Sequence, residues 1–273
     1  MLRSARRKVY TQFPVVRDMR FKLKRNKSFT DKIKYRMKYK MDDPKWAPYV
    51  DKLGLKDYAA SKGIDSPKTI ALLDEFNITQ IPESCVIKMN NGYDRNIIIK
   101  DGIILTGEFK GETLAAKEEE LKKITALWKE PFDPIGQPHY KYIKPQLYIE
   151  ELMYPIPEDY KFFVFHGRVR IIQMDTGRFD SHCRIYYDRH WNRTQCRDIA
   201  RTPCGEDVHF PKPDNLKELI EAAEKLAPPI EFIRVDLYNI DGKILAGELT
   251  FTPAAGTQDI VPEACGKMFT DWW

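Results

Sequence analysis

The sequence has no apolar run near the roughly 18–20 residues that a bilayer crossing needs. Its start, Met1-Leu2-Arg3-Ser4-Ala5-Arg6-Arg7-Lys8, carries no signal-type apolar stretch. Both features lead to the expectation of a cytoplasmic protein. Cysteine is scarce and odd in number: Cys85, Cys183, Cys196, Cys204 and Cys265, with no C-x-x-C pair. That pattern is expected of reduced thiols in a reducing compartment, without disulfides. No Asp-x-Asp motif is present to hold the metal of a nucleotide-sugar, which disfavours a glycosyltransferase, and there is no internal repeat or low-complexity segment. What is present is 273 residues with 42% hydrophobic and 12% aromatic content, which excludes a disordered chain and predicts one or two packed domains. The formal charge of +5 averages two unlike parts. Residues 1–40 hold 15 of the 45 Lys and Arg against only Asp18 and Asp31, a net of +13, so the remainder carries −8. A basic arm precedes a mildly acidic body.

Periodicity and punctuation organise the chain. Thr30–Met41, with Ile33 and Met37 at i, i+4 among Lys and Arg, reads as a short basic helix ending before Asp42-Asp43-Pro44. Ala47–Gly63 reads as a helical segment. Cys85–Met89 and Asn96–Ile99 form a hairpin with the polar tip Asn90-Asn91-Gly92. Lys117–Lys129 is a helix, and Gln146–Glu150 a strand after a Pro-rich passage. Lys161–Phe165 and Val169–Met174 pair around His166-Gly167. The amphipathic helix Asn215–Ala227 feeds the strand Phe232–Tyr238, an Asp241-Gly242 turn and the strand Ile244–Thr252. Helices mixed with antiparallel hairpins predict an α+β fold.

Three constellations carry chemistry. Arg234 and Asp236 share one face of a strand, and Glu248 and Thr250 share one face of the next. Two carboxylates beside an arginine suit Mg²⁺ and a phosphoryl group in transfer. A two-residue turn would set position 236 against 247, so a shared site requires an odd-length loop or one bulge. Solvated charges on an edge hairpin are the alternative. Lys88, inside an apolar strand and before a polar Gly-containing loop, is placed to meet a nucleotide phosphate, or else snorkels from a half-exposed strand. Ile149-Glu150-Glu151-Leu152-Met153 reads as a candidate adenine-binding hinge.

In order and spacing these pieces resemble the ATP-grasp fold, and more narrowly the TupA-like ATP-grasp proteins linked to bacterial cell-surface polysaccharide synthesis. The likeness rests on Asp51-Lys52-Leu53-Gly54-Leu55-Lys56-Asp57-Tyr58, Val86-Ile87-Lys88, Ile149-Glu150-Glu151, Asp159-Tyr160-Lys161-Phe162-Phe163, Phe232-Ile233-Arg234-Val235-Asp236-Leu237-Tyr238 and Gly247-Glu248-Leu249-Thr250-Phe251. It spans about residues 46–270 and implies two α+β lobes with ATP between them: a helical part over 45–84, a small lobe over 85–149 and a C-terminal lobe over 150–273, preceded by the basic helical arm over 1–44. It further implies Lys52 and Lys88 on ATP phosphates, Glu150 with the stretch Glu151–Met153 at the adenine, and Asp159 near the ribose. Lys161 matches a family lysine at the nucleotide or acceptor site. Asp236 and Glu248 match metal ligands for Mg²⁺, with Thr250 where many ATP-grasp enzymes carry Asn, and Arg234 matches the arginine that stabilises the transferred phosphoryl.

The resemblance implies an ATP-dependent carboxylate–amine ligase acting through an acyl phosphate. Its expected substrates are a glycan-borne or nucleotide- or lipid-linked uronic acid and an amino acid. Arg170, Arg178 and Arg184 are the candidate acceptor-binding cations. A kinase acting on a sugar hydroxyl would use the same ATP and metal residues. A non-catalytic polysaccharide- or nucleic-acid-binding protein is the non-enzymatic alternative, with nucleic acid disfavoured because no known module appears. The arm reads as a solvated helix or as a contact with an anionic membrane surface on the cytoplasmic side. Cys183, Cys196, Cys204, His182, His190 and His209 fall within 182–209, but their spacing matches no familiar zinc site.

Overall fold

The computed structural model describes residues 28–130, 132, 136–176, 183–200 and 202–273. The readings made of residues 1–27 and of Arg178 and His182 therefore lie outside the described residues. Helix α1, Phe29–Tyr39, is capped by Ser28, whose hydroxyl accepts from the Asp31 amide at 3.0 Å. The segment expected as one helix over 47–63 is two, α2 (Ala47–Val50) and α3 (Lys52–Ser61). Asp51 breaks it, being extended and turning its carboxylate onto the Leu53 amide as the cap of α3.

The first sheet holds β1 (Thr69–Leu73), β2 (Cys85–Met89), β3 (Asn96–Lys100), β4 (Ile103–Ile104) and β5 (Leu147–Glu150), in the order β1-β5-β2-β3-β4. Helix α4, Glu118–Trp128, lends Leu121 to its core with Leu73, Ile87, Ile97, Leu147 and Ile149. The opposite face carries Leu72, Tyr148 and Lys88 in one cross-strand row.

The second sheet is built from β6 (Asp159–Phe165), β7 (Arg168–Thr176), β8 (Cys183–Asp188), and, beyond the short β9 (Arg197–Asp198), from β10 (Thr202–Pro203), β11 (Phe232–Ile240) and β12 (Lys243–Thr250). Its order is β10-β8-β7-β6-β11-β12, and β9 pairs separately with β13 (Ile260–Val261). Helix α5, Leu216–Leu226, lays Leu219, Ile220, Ala223 and Leu226 on one face, against Phe162, Val164, Ile172 and Val235. The other face changes character along its strands. At one end Phe163, Phe165, Ile171 and Phe232 pack with Phe29 and Ile33 of α1 and Phe269 of α6, Glu263–Asp271. At the other end the same face presents Lys161, Gln173, Arg234 and Asp236.

Two boundaries drawn from sequence need correction. Strand β1, from the supposedly helical part 45–84, is the edge of the small-lobe sheet, and α1, from the supposed arm, is part of the C-terminal lobe's core. Packing of its Phe29, Ile33 and Met37 stripe outweighs the basic composition that suggested a solvated helix.

The expectation of reduced thiols is also overturned. Cys183 bonds to Cys204, and Cys196 to Cys265, leaving Cys85 free and buried. An odd count excludes only complete pairing; folding sets β10 beside β8 and β13 beside β9, which brings each pair together. The thiolates that a zinc site in 182–209 would need are consumed by these bonds, and the described residues contain no group of three or more His, Cys, Asp and Glu arranged around a metal. Thiol titration of protein denatured without reductant is expected to count one thiol, against five after reduction. Reduction is expected to cost about 2–4 kcal/mol of stability per bridge. Five thiols before reduction would contradict the pairing.

Candidate active site

The hairpin β11–β12 turns through Asp241 and Gly242, both with positive φ. Counting back from Ile240↔Lys243 reaches Leu237↔Ala246, and then the register shifts so that Asp236 faces Glu248. Gly247 is the extra residue. Its missing Cβ matters, because one placed there would stand 3.1 Å from the Asp236 carbonyl and 3.1 Å from the Tyr238 ring. The bulge required by the sequence argument is present, and it aims both carboxylates at one face.

On that face three oxygens converge on Nη2 of Arg234: Asp236 Oδ2 at 2.7 Å, Thr250 Oγ1 at 3.0 Å and Glu248 Oε2 at 3.3 Å. Arg234 Nε also donates to Asp236 Oδ1 at 2.6 Å. Burial alone would lower the Arg234 pKa, but Asp236 and Glu248 more than reverse it, so the guanidinium stays charged. Burial pushes the Asp236 carboxyl up, opposed by Arg234 and Lys161. Two carboxylates and a hydroxyl that already converge on one cationic atom form an oxygen donor set suited to Mg²⁺.

Lys161, one strand away, places Nζ 2.7 Å from Asp159, 3.7 Å from Asp236 and 3.9 Å from Asp175. The sequence reading missed Asp175, although it alternates with Gln173 on β7. Its carboxylate is held by Gln173 and, at 2.6 Å, by Arg184 Nε. Arg184 also donates to Asp198 at 2.9 Å. Its charge is thus engaged by two carboxylates, and it stands as a support for Asp175 rather than as a free acceptor cation. Arg170 is not brought to this cluster; its guanidinium lies 5.9 Å from the Trp272 ring, at the apolar end of the face.

The first sheet, with Lys88 and Glu150, and α3, whose Leu55 and Ala59 pack into the core of the second sheet, supply the facing groups. Glu150 is buried and bridges Lys88 and Lys56, the latter at 2.7 Å. Lys56, one turn after Lys52 on α3, also escaped the sequence reading; the i, i+4 spacing of two lysines was the available signal. Lys52 Nζ donates to the Gly92 carbonyl at 2.5 Å, and its backbone amide to Asn90 at 2.9 Å, tying α3 to the tip of the β2–β3 hairpin. Burial lowers the pKa of Lys52 and of Lys56. Glu248 acts electrostatically on both Lys52 and the Tyr148 hydroxyl, so the two polar faces oppose each other. Glu151 caps the Lys68 amide at 2.7 Å, which fixes the hinge leading to Met153. Of two surface concavities, one lies beside Arg189 and Lys212 and one beside Arg184 and Arg197.

No curated protein sequence matches the chain. Among solved structures it is similar to a D-alanine–D-alanine ligase from Bacillus anthracis complexed with ATP, at 18% identity and a TM-score of 0.40, over 75% of this chain and 54% of that one. It is similar to the ATP-grasp ligase PsnB complexed with minimal precursor, at 12% identity and a TM-score of 0.44, over 85% and 62% of the two chains. It is also similar to N5-carboxyaminoimidazole synthetase from Staphylococcus aureus complexed with ADP, at 13% identity and a TM-score of 0.42, over 76% and 46%. The chain thus spans less than two thirds of each of these proteins. The family described as TupA-like ATPgrasp matches residues 31–272, nearly all of the described chain, and the protein belongs to that family.

Proposed function

We propose that the protein is an ATP-dependent carboxylate–amine ligase that joins an amino acid to a uronic acid of a bacterial surface polysaccharide such as a capsule. The observation that carries this reading is the bulge-aligned pair Asp236 and Glu248 with Arg234 between them, facing Lys88 of the first sheet and the lysines of α3. A substrate carboxylate oxygen attacks the γ-phosphorus in line, the bond to the β-phosphate oxygen breaks, and ADP leaves. The amine nitrogen then attacks the acyl carbon, phosphate departs, and the amine proton passes to solvent. Lys52, Lys56 and Lys88 hold the phosphates, which requires Lys56 and Lys88 to exchange Glu150 for phosphate oxygens. Glu150 and the backbone of Glu151–Met153 meet the adenine, Asp159 the ribose, and Lys161 keeps Asp159 and Asp236 in place. Asp236, Glu248 and Thr250 would hold Mg²⁺, which when bound supplies charge neutralisation between the phosphates. Arg234 stabilises the phosphoryl in transfer.

The protein would work at the cytoplasmic side, with the basic stretch before α1 and the exposed Lys34 and Lys40 turned to an anionic membrane surface. Among the described residues no helix is long and apolar enough to cross a membrane. The test crosses uronic acids with amino acids, following ADP release and product mass. An amide product supports the reading; a phospho-sugar would establish the kinase alternative, and absence of nucleotide turnover with every pair would reject both enzymatic readings.

A further inference from the structure

The metal-ligand pair sits in a short stretch of ladder. Only Arg234↔Thr250, Val235↔Leu249 and Asp236↔Glu248 lie between the Gly247 bulge and the point where β12 ends. Beyond Thr250 the chain leaves the sheet, passing Thr252 into a left-handed turn at Ala254, Ala255 and Gly256. Three rungs, broken at one end and open at the other, join the edge strand β12 to β11 here, and a slide at the open end would change the Asp236–Glu248 spacing directly.

Arg36 of α1 closes that open end. Its Nη1 donates to the Phe232 carbonyl at 2.5 Å and reaches the Phe251 carbonyl at 3.4 Å. Phe232 precedes Arg234 by two residues on β11, and Phe251 follows Thr250 on the other strand. The guanidinium thus stands where the next rung would be. Its Nη2 donates to Glu231 at 2.9 Å, and its Cζ lies 4.2 Å from the centroid of the Trp273 ring. Arg36 is only 2% exposed, while its partner Glu231 is half in solvent. Burial pushes its pKa down to about 10. Burying a guanidinium costs several kcal/mol, and an apolar side chain of similar volume commonly packs such a site as well or better. Packing therefore does not account for an arginine here, whereas bridging two strand carbonyls does.

We infer that Arg36 is a positioning residue for the Asp236–Glu248 pair: it fixes the two strands at their open end and so sets the oxygen geometry that receives the metal–nucleotide complex. This rests on the proposed nucleotide site. The test measures binding of the non-hydrolysable analogue AMPPNP by calorimetry with and without Mn²⁺, following Mn²⁺ also by its paramagnetic resonance. Wild type is compared with Arg36→Met, Arg36→Lys and Ile33→Ala, the last loosening α1 without touching the bridge. For Arg36→Met, Mn²⁺-dependent affinity is expected to fall about tenfold, the scale of a support lost behind a metal ligand, while metal-free AMPPNP binding holds. Arg36→Lys, which reaches only one of the two carbonyls, is expected to fall in between and carries the test if the Met variant does not fold. Ile33→Ala should lower the melting temperature and leave Mn²⁺ affinity unchanged. Equal Mn²⁺ affinity in wild type and both Arg36 variants, or an equal loss in Ile33→Ala, would overturn the inference. Failure of the wild type itself to bind AMPPNP would instead remove the nucleotide site on which it rests.

Discussion

Arg234→Met and Asp236→Asn are each expected to lower ATP turnover by roughly 10³-fold, the scale of an arginine that stabilises a transferred phosphoryl. The double variant is expected to be no worse than either single one. The reason is the bidentate contact: Arg234 holds both Asp236 oxygens, at 2.6 and 2.7 Å, and through the same Nη2 reaches Glu248 and Thr250. Removing the arginine releases all three oxygens from their common orientation. Removing the carboxylate charge leaves Arg234 drawn to Glu248 alone and takes away a proposed metal ligand. Each change disables the same unit, and residues acting as a unit lose function non-additively. Asp236→Asn also leaves Arg234 and Lys161 with less compensation in a buried site, so its melting temperature should fall. Circular dichroism at the assay temperature separates that from loss of chemistry. Multiplicative losses would show that the two groups act independently, and full ATP turnover in Asp236→Asn would remove Asp236 from the proposed metal ligands.

Acid sensitivity traced to His139 is the second large effect. This ring lies next to Tyr140 in the segment Pro138–Tyr142, is 1% exposed, and has neither nitrogen hydrogen-bonded among the described residues. It packs edge-on to Phe251, directly after Thr250. Burial pushes its pKa from 6.5 down to about 4. The unfolded chain therefore binds the proton more tightly than the folded one. The stability from keeping His139 neutral is complete above pH 6.5 and is lost as pH falls from there through about 4. Between pH 7 and 4.5 the loss amounts to about 2 kcal/mol. His139→Phe keeps the ring and removes the titration. Urea unfolding at several pH values should show the wild type losing about that much more stability than the variant over this interval. Parallel pH profiles would mean that the imidazole is solvated in the folded protein.

The legible parts of the site were those in which chemistry and spacing coincide on one strand. Arg234 with Asp236 and Glu248 with Thr250 each show the period of two, and Asp241-Gly242 announces the turn between them. That arithmetic even required a bulge, and Gly247 supplies it. Lys56 and Asp175 were harder, because each gains meaning only from a group distant in sequence: Glu150 for the lysine, Arg184 and Lys161 for the aspartate. Arg184 was legible as a cation but not as an engaged one, since the carboxylates that hold it come from β7 and β9.

Strand and helix periodicity and turn residues determined by themselves the α+β class and the two principal hairpins, and the order of the quoted motifs carried the resemblance to the family, because these properties are local or depend only on order along the chain. Tertiary structure decided the rest. It turned a basic helix inward, so that Arg36 meets carbonyls some two hundred residues away. It paired four of five cysteines, and it made one face of one sheet apolar at one end and charged at the other. The physical reason is the same in each case. A charge or a thiol acquires its role from what is packed within a few ångströms of it, and neighbours brought together by strand crossing and helix docking leave no periodic trace in the sequence.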